Sequence, residues 1–254
     1  DLDVMRPSML ETGLETIAYN LNRKNNSLQF FEFGKTYSTD GAGSYAENNH
    51  LSLFVTGNKT EGGWSSKAQK TDFYFIKGTL EKIAAVTGVI INEFSITANE
   101  KLDHAVEIKI RNEVVAIAGT INKATAAKFD CKQTVLYADI NWDKLMELSK
   151  KSRISFKEIS KYPAVQRDLS IVVDKNIQYQ QIEKTTLATK LGKLKNVNLF
   201  DVFESEKLGA NKKSMAVSFT FLDEEKTMTD TEIDAMMNKI IGAYEKELAA
   251  EVRR

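Results

Sequence analysis

Apolar residues at Leu10, Leu14, Ile17, Ala18 and Leu21 recur at helical spacing and predict a helix over 8–23. Ser8 stands where it can cap that helix, and Glu11, three residues on, completes a capping box. QFFEFGKTY (29–37) alternates as a strand, in which Gly34 marks either a bulge or a close backbone approach. A polar, Gly/Ser-rich loop is expected over 38–49, a second strand over 50–57, and a loop carrying Trp64 over 58–71. Phe73, Ile76, Leu80, Ile83 and Ala84 share one face of a helix over 73–87, closed by Gly88 as C-cap. A strand at 89–96, a hairpin at 107–120 turning near Arg111-Asn112, and a strand at 134–140 complete the half. Antiparallel strands with a few long helices make this an α+β domain, 1–150.

The second half opens with KYPAVQRDLSIVV (161–173). Pro163 fixes its own φ and pushes Tyr162 toward an extended conformation, a rigid entry into a β-branched run. Arg167 and Asp168 are expected at the mouth of that strand. The pattern then reads strand 168–174, helix 178–191, strand 197–206, strand 212–222, helix 229–248 and a short strand 250–254. This is the βαββαβ order of a ferredoxin-like domain, 151–254, with Thr229 and Glu232 forming a capping box on the last helix. KKSRISFK (150–157), polar and basic, is the expected linker.

Composition changes the picture in two respects. Lysine plus arginine and aspartate plus glutamate number 35 each, so any electrostatic function must come from local asymmetry. The single cysteine, Cys131, rules out an internal disulfide and fits a reducing, cytoplasmic setting. No apolar run is long enough to span a bilayer and no signal-peptide pattern opens the chain, so no membrane role is expected. The opening DLDVMRPSML, without an initiator methionine, points to a piece of something longer.

Catalytic constellations are scarce. The two histidines, His50 and His104, lie far apart in sequence, and one cysteine cannot make a metal cluster of the usual spacing. GxGxxG, GxxxxGK[ST], GxSxG and HExxH are missing. His50, at a strand start, reads as a structural residue; His104 adjoins Asp103, but neighbours on a strand face opposite ways. Cys131 beside Lys132 is either a lowered-pKa thiol or an ordinary buried one. A binding or scaffolding role therefore outweighs a free-standing enzyme using a cleft between the two domains, the remaining alternative.

The positive signal is charge. Between Lys151 and Lys213 there are 13 basic residues and 7 acidic ones. Lys190, Lys193, Lys195, Lys212 and Lys213 punctuate loops and strand ends, where they can converge on one rim of a sheet and meet phosphates. Aromatics interleave with them, and Phe219 and Phe221, two apart on one strand face, are either core or a stacking platform.

KYPAVQRDLSIVVD (161–174), LFDVFES (199–205), KKSMAVSFTF (212–221) and KTMTDTEID (226–234), with a terminal Arg253 or Arg254, carry a resemblance. The second half resembles the ferredoxin-fold anticodon-binding domain of the bacterial phenylalanyl-tRNA synthetase β subunit. MRPSML (5–10), Asn20, Arg23, LQFFEFGKTY (28–37), DFYFIKG (72–78) and IAG (117–119) make the first half similar to that subunit's inactive, class II synthetase-like module. The sequence departs from the family near position 104, where LDHAVEI (102–108) keeps only His104 of a His-Pro-Gly stretch, and following the 117–119 segment, where GTINKA replaces Gly-x-x-His-Pro. The resemblance implies an antiparallel-sheet class II synthetase-like domain followed by the ferredoxin-like one. It implies no catalytic residue, cofactor or metal on this chain. ATP and Mg²⁺ belong to the holoenzyme, bound by an α subunit in an (αβ)₂ assembly. It implies contacts with tRNA-Phe, for which Tyr162, Arg167, Lys193, Lys195, Lys212 and Lys213 are the candidates, Arg167 foremost with an ion pair to a carboxylate as its alternative. Arg6 and Arg23 are assigned to subunit packing.

Overall fold

Side chains alternate across a β-strand, so a strand covered on both faces sends its two residue sets into two different cores. The first half of this chain is built that way. The computed structural model describes residues 4–152, 156, 158–209 and 211–253, which form two units, Asp1–Ser155 and Phe156–Arg254. The first unit contains α1 (Leu10–Leu21), β1 (Leu28–Gly41), β2 (Ser44–Thr56), β3 (Asn58–Thr60), β4 (Gln69–Lys70), α2 (Phe73–Val86) and β5 (Glu93–Ile96). It continues with β6 (Leu102–Ile110), β7 (Glu113–Ile121), α3 (Lys123–Lys128), β8 (Val135–Asn141) and α4 (Trp142–Lys150).

An antiparallel sheet runs in the order β1-β2-β8-β7-β6-β5, and β3 and β4 pair as a small separate ribbon. Leu51, Leu53 and Val55 of β2 and Leu136, Ala138 and Ile140 of β8 pack with Ile76 and Leu80 of α2 and Leu145 and Leu148 of α4. Phe54 of β2 and Val135 and Tyr137 of β8 pack with Leu10, Leu14 and Ile17 of α1. Gly13 makes the second core possible, because a Cβ there would lie 2.0 Å from Cζ of Phe54.

Several sequence expectations are corrected here. The loop expected over 38–49 is a paired β1–β2 arm, with Thr39 opposite Tyr45 and Tyr37 opposite Glu47. Its residues are almost all exposed on both faces, so no alternation of hydrophobicity marks them as strand. The helices α3 and α4 were not expected. At 6 and 9 residues they are too short to display a period, although Asn122 and Asn141 cap them by accepting the Thr125 and Lys144 N–H groups. The box at α1 does not form: Met9 is the N-cap, Ser8 Oγ accepts the Leu10 N–H at 3.1 Å, and Glu11 is held by Lys101 Nζ at 2.6 Å. Gly34 sits in unbroken register opposite His50, so it is a close approach and not a bulge; the Arg6 guanidinium occupies the space a Cβ would take. The strand expected over 89–96 is confined to Glu93–Ile96. The hairpin turn falls at Arg111 and Asn112, with φ of 51° and 68°.

The second unit comprises β9 (Val165–Asp174), α5 (Tyr179–Ala188), β10 (Leu194–Phe203), a short 3₁₀ turn, β11 (Lys212–Phe221), α6 (Asp230–Leu248) and β12 (Glu251–Arg253). The antiparallel order β10-β11-β9-β12 is the ferredoxin-like topology. Ile171, Val173, Met215 and Val217 face Ile182 of α5 and Ile233, Met237 and Ile240 of α6. Phe219 and Phe221 are fully buried, which makes them core and not a stacking platform. Tyr244 of α6 shares a buried hydrogen bond with Thr186 of α5. The Thr229–Glu232 capping box forms as expected. The charged lead-in is itself strand, so Arg167 and Asp168 lie within β9, paired with Phe219 and Ser218. Of the expected linker 150–157, residues 153–155 and 157 lie outside the described residues, as does Arg254.

Replacing Gly13 by alanine forces Phe54 out of its rotamer, and Gly13→Ala is expected to lower stability by about 1–3 kcal/mol. A thermal melt equal to that of the parent protein would contradict this packing.

Candidate nucleic-acid interface

The six candidate RNA contacts do not converge on one rim. Arg167, Lys193, Lys195 and Tyr162 gather at the end of the sheet where β11 finishes; the Leu222 N–H donates to the Lys193 carbonyl at 2.8 Å. Lys212 and Lys213 lie at the other end of β11, six residues from Phe219 and hence roughly 20 Å away. Arg167 shares the helix-covered side of β9 with Leu169 and Ile171, and its guanidinium reaches Asp230 at the start of α6, 2.7 Å away. Lys193 pairs with Asp223 at 2.6 Å, Lys195 with Glu224 at 2.9 Å, and Lys212 with Glu251 at 2.5 Å. Lys213 makes no ion pair among the described residues. Tyr162 and Lys195 help to line an open cleft of about 810 Å³ with Lys161, Leu222 and Glu225.

The cluster at the start of α6 is strongly coupled. Asp223 raises the Lys193 ammonium above its ordinary range, and Lys193 together with the Glu225 N–H holds Asp223 below its own. Glu232 accepts from Lys226 Nζ and from the Thr229 N–H, which depresses its carboxyl to about 2.

The side of this sheet that the helices leave uncovered carries a different chemistry. Across it run the rows Asn196–Thr220–Gln166 and Asn198–Ser218–Asp168, then Asp201–Ala216–Ser170 and Phe203–Ser214–Val172. The NVNL alternation at 196–199 is the sequence signal for this set, which a search for charge passes over.

In the first unit both assigned arginines make contacts within the unit. Arg6 donates to Glu32 at 2.7 Å and to the Lys35 carbonyl at 2.8 Å. The Arg23 guanidinium lies 3.4 Å from the Tyr19 ring centroid and donates to the Tyr19 carbonyl. His50 is joined on both ring nitrogens, to Asp139 at 2.9 Å and to Thr36 Oγ1 at 3.0 Å, and Ser52 donates to the other Asp139 oxygen at 2.7 Å. The line Thr36–His50–Asp139 resembles a nucleophile, base and orienter, yet Thr36 is only 7% exposed and offers no approach to a substrate. His104 is exposed, at φ 51° beside a register irregularity in β6. Burial and then the Asp130 charge push the Cys131 thiol up, opposite to the activated alternative. Among the described residues no three His, Cys, Asp or Glu side chains group to hold a metal, and no helix is long and apolar enough to cross a membrane.

Residues 1–142 match the family described as the phenylalanyl tRNA synthetase beta chain CLM domain, and residues 160–253 match the ferredoxin-fold anticodon binding domain. With the βαββαβ sheet, these matches define a tRNA-synthetase component that carries an anticodon-binding fold. The chain belongs to the phenylalanyl-tRNA synthetase beta chain family. It is 38% identical to the phenylalanine–tRNA ligase beta subunit of Bacteroides fragilis, across 100% of this chain and 32% of that one. The corresponding subunit of Porphyromonas gingivalis is 32% identical over the same shares, and that of Carboxydothermus hydrogenoformans is 32% identical over 98% and 32%. The chain thus spans about a third of the length of these curated relatives.

Because Glu232 is depressed from 4.5 to about 2, its contribution to stability is complete above pH 4.5 and is lost as pH falls toward 2. Hydrogen-exchange protection of α6 is expected to drop across that interval, and Glu232→Gln to remove part of the slope. An unchanged slope in the variant would show that Glu232 is not the titrating group.

Proposed function

We propose that this chain is a region of the β subunit of a phenylalanine–tRNA ligase, working in the cytoplasm. The first unit, a class II synthetase-like module without chemistry of its own, packs against the α subunit of an (αβ)₂ complex, with Arg6 and Arg23 in the packing region. The second unit holds the anticodon stem and loop of tRNA-Phe. Phenylalanine, ATP and Mg²⁺ are handled by the α subunit. The observation that best supports this reading is the succession of the two family matches, 1–142 and then 160–253, along one chain.

Tyr162, Arg167, Lys193, Lys195, Lys212 and Lys213 are proposed to meet the RNA backbone. Four of these cations must exchange a carboxylate for a phosphate to do so. The exchange is inexpensive where both partners are exposed, since such pairs contribute about 0–1 kcal/mol. Arg167, Lys195 and Lys212, each about a third exposed and paired with an exposed carboxylate, meet that condition. Lys193 is the least free, because its partner Asp223 is buried.

The test is to purify the full-length β subunit with its α partner and measure charging of tRNA-Phe with phenylalanine. Charging is expected to need both chains; charging by the β subunit alone would refute the proposal. Lys195→Glu combined with Lys213→Glu is expected to weaken tRNA binding. With two phosphate contacts removed, the log–log dependence of binding on salt should become shallower by roughly 1.4.

A further inference from the structure

The segment that joins β11 to α6 is acidic: from Asp223 to Glu232 it holds five carboxylates and one lysine, so by itself it repels phosphate. Three of those carboxylates sit on cations that other parts of the sheet contribute. Asp230 lies 2.7 Å from the Arg167 guanidinium of β9, and Glu224 lies 2.9 Å from Lys195 Nζ of β10. Asp223 lies 2.6 Å from Lys193 Nζ, just before β10. These are the charge-assisted contacts that the same cations would make with phosphate oxygens. The segment is pinned by the buried Asp223 and Met228, and the residues between them are exposed. Asp223 has a structural task as well, since its carboxylate accepts the Glu225 N–H at 2.9 Å. The other two side chains are more open: Asp230 is 86% exposed and Glu224 42%, so their pairs add little to folding. A change of rotamer is enough to swing either carboxylate off its cation.

We infer that Glu224 and Asp230 are specificity-determining residues: they stand in for RNA phosphates on Lys195 and Arg167 and must be displaced before tRNA binds. The inference rests on the proposal that these cations meet the RNA backbone, and it adds a condition to that contact. β11 lies between the strands that carry the two cations, which are therefore roughly 10 Å apart, close enough for one RNA backbone to reach both. An RNA whose phosphates arrive at both cations replaces both carboxylates. One that reaches a single cation is still repelled by the carboxylate held on the other, and such like-charge contacts suppress wrong partners. The pairs thus select the shape of the backbone and read no base.

The test measures binding of tRNA-Phe and of an unrelated tRNA by the full-length β subunit with its α partner. Glu224→Gln with Asp230→Asn is expected to tighten tRNA-Phe binding about fivefold by releasing two exposed pairs. Freeing two cations is expected to steepen the log–log dependence of binding on salt by roughly 1.4. The unrelated tRNA is expected to gain more, so that selectivity narrows. Glu225→Gln removes the same charge but frees no cation among the described residues, and its salt slope is expected to match the parent's. Thr229 still caps α6 in the double variant, and circular dichroism melts matching the parent identify a folded protein. Should that variant not fold, Glu224→Gln alone, outside every helix and strand, carries the test with about a twofold gain. Binding no tighter than the parent's, or unchanged selectivity, overturns the assignment. The tRNA-binding proposal then still stands, provided that Lys195→Glu with Lys213→Glu weakens binding. If those two lysine substitutions leave binding unchanged, both fall together.

Discussion

Ten residues of β9 run antiparallel against ten of β11 without a slip, from Asp174 opposite Lys212 to Val165 opposite Phe221. That unbroken register governs the second unit. It sends Ile171, Val173, Met215, Val217, Phe219 and Phe221 beneath α5 and α6, and by the same alternation turns Gln166, Asp168, Ser218 and Thr220 the other way. A slip of one residue would place phenylalanine on the outer side and serine in the core. It also puts Arg167 level with Phe219, on the side where Asp230 is within reach. β10, at the edge, is looser: its register shifts between Leu194 and Asn196 and again between Leu199 and Asp201.

The charge balance of this unit is settled in space and not along the chain. The 13 basic and 7 acidic residues between Lys151 and Lys213 suggest a strongly positive surface. The structure supplies the missing carboxylates from beyond that window: Asp223, Glu224, Asp230 and Glu251 each take one of the candidate cations. Exposed pairs of this kind add little to stability, but they weaken the local field that would steer an anion.

The first unit uses one sheet to serve two cores, which requires β2 and β8 to be apolar on both faces in their central stretch. Beyond that stretch, on the α1 side, polar residues take over: Thr36, His50, Ser52 and Asp139 satisfy one another in a half-buried network. Thr36 and Ser52 are buried, so the hydroxyls that could serve as nucleophiles lack access. Their arrangement is that of a structural network, in which a lost partner leaves a costly unpaired polar group.

The helical faces of α1 and α2 and the βαββαβ order were legible in the sequence because long amphipathic periods and capping residues are local signals. The Thr229–Glu232 box was legible for the same reason. The β1–β2 arm was not, since its stability comes from backbone pairing that leaves no pattern of burial, and the short α3 and α4 hold too few residues for a period. Which lysine meets which carboxylate, and which amides share a face with Phe203, could only be decided once distant strands were brought into register. Local spacing determines an element; side-chain partners between elements follow from the pairing of strands that sequence distance does not constrain.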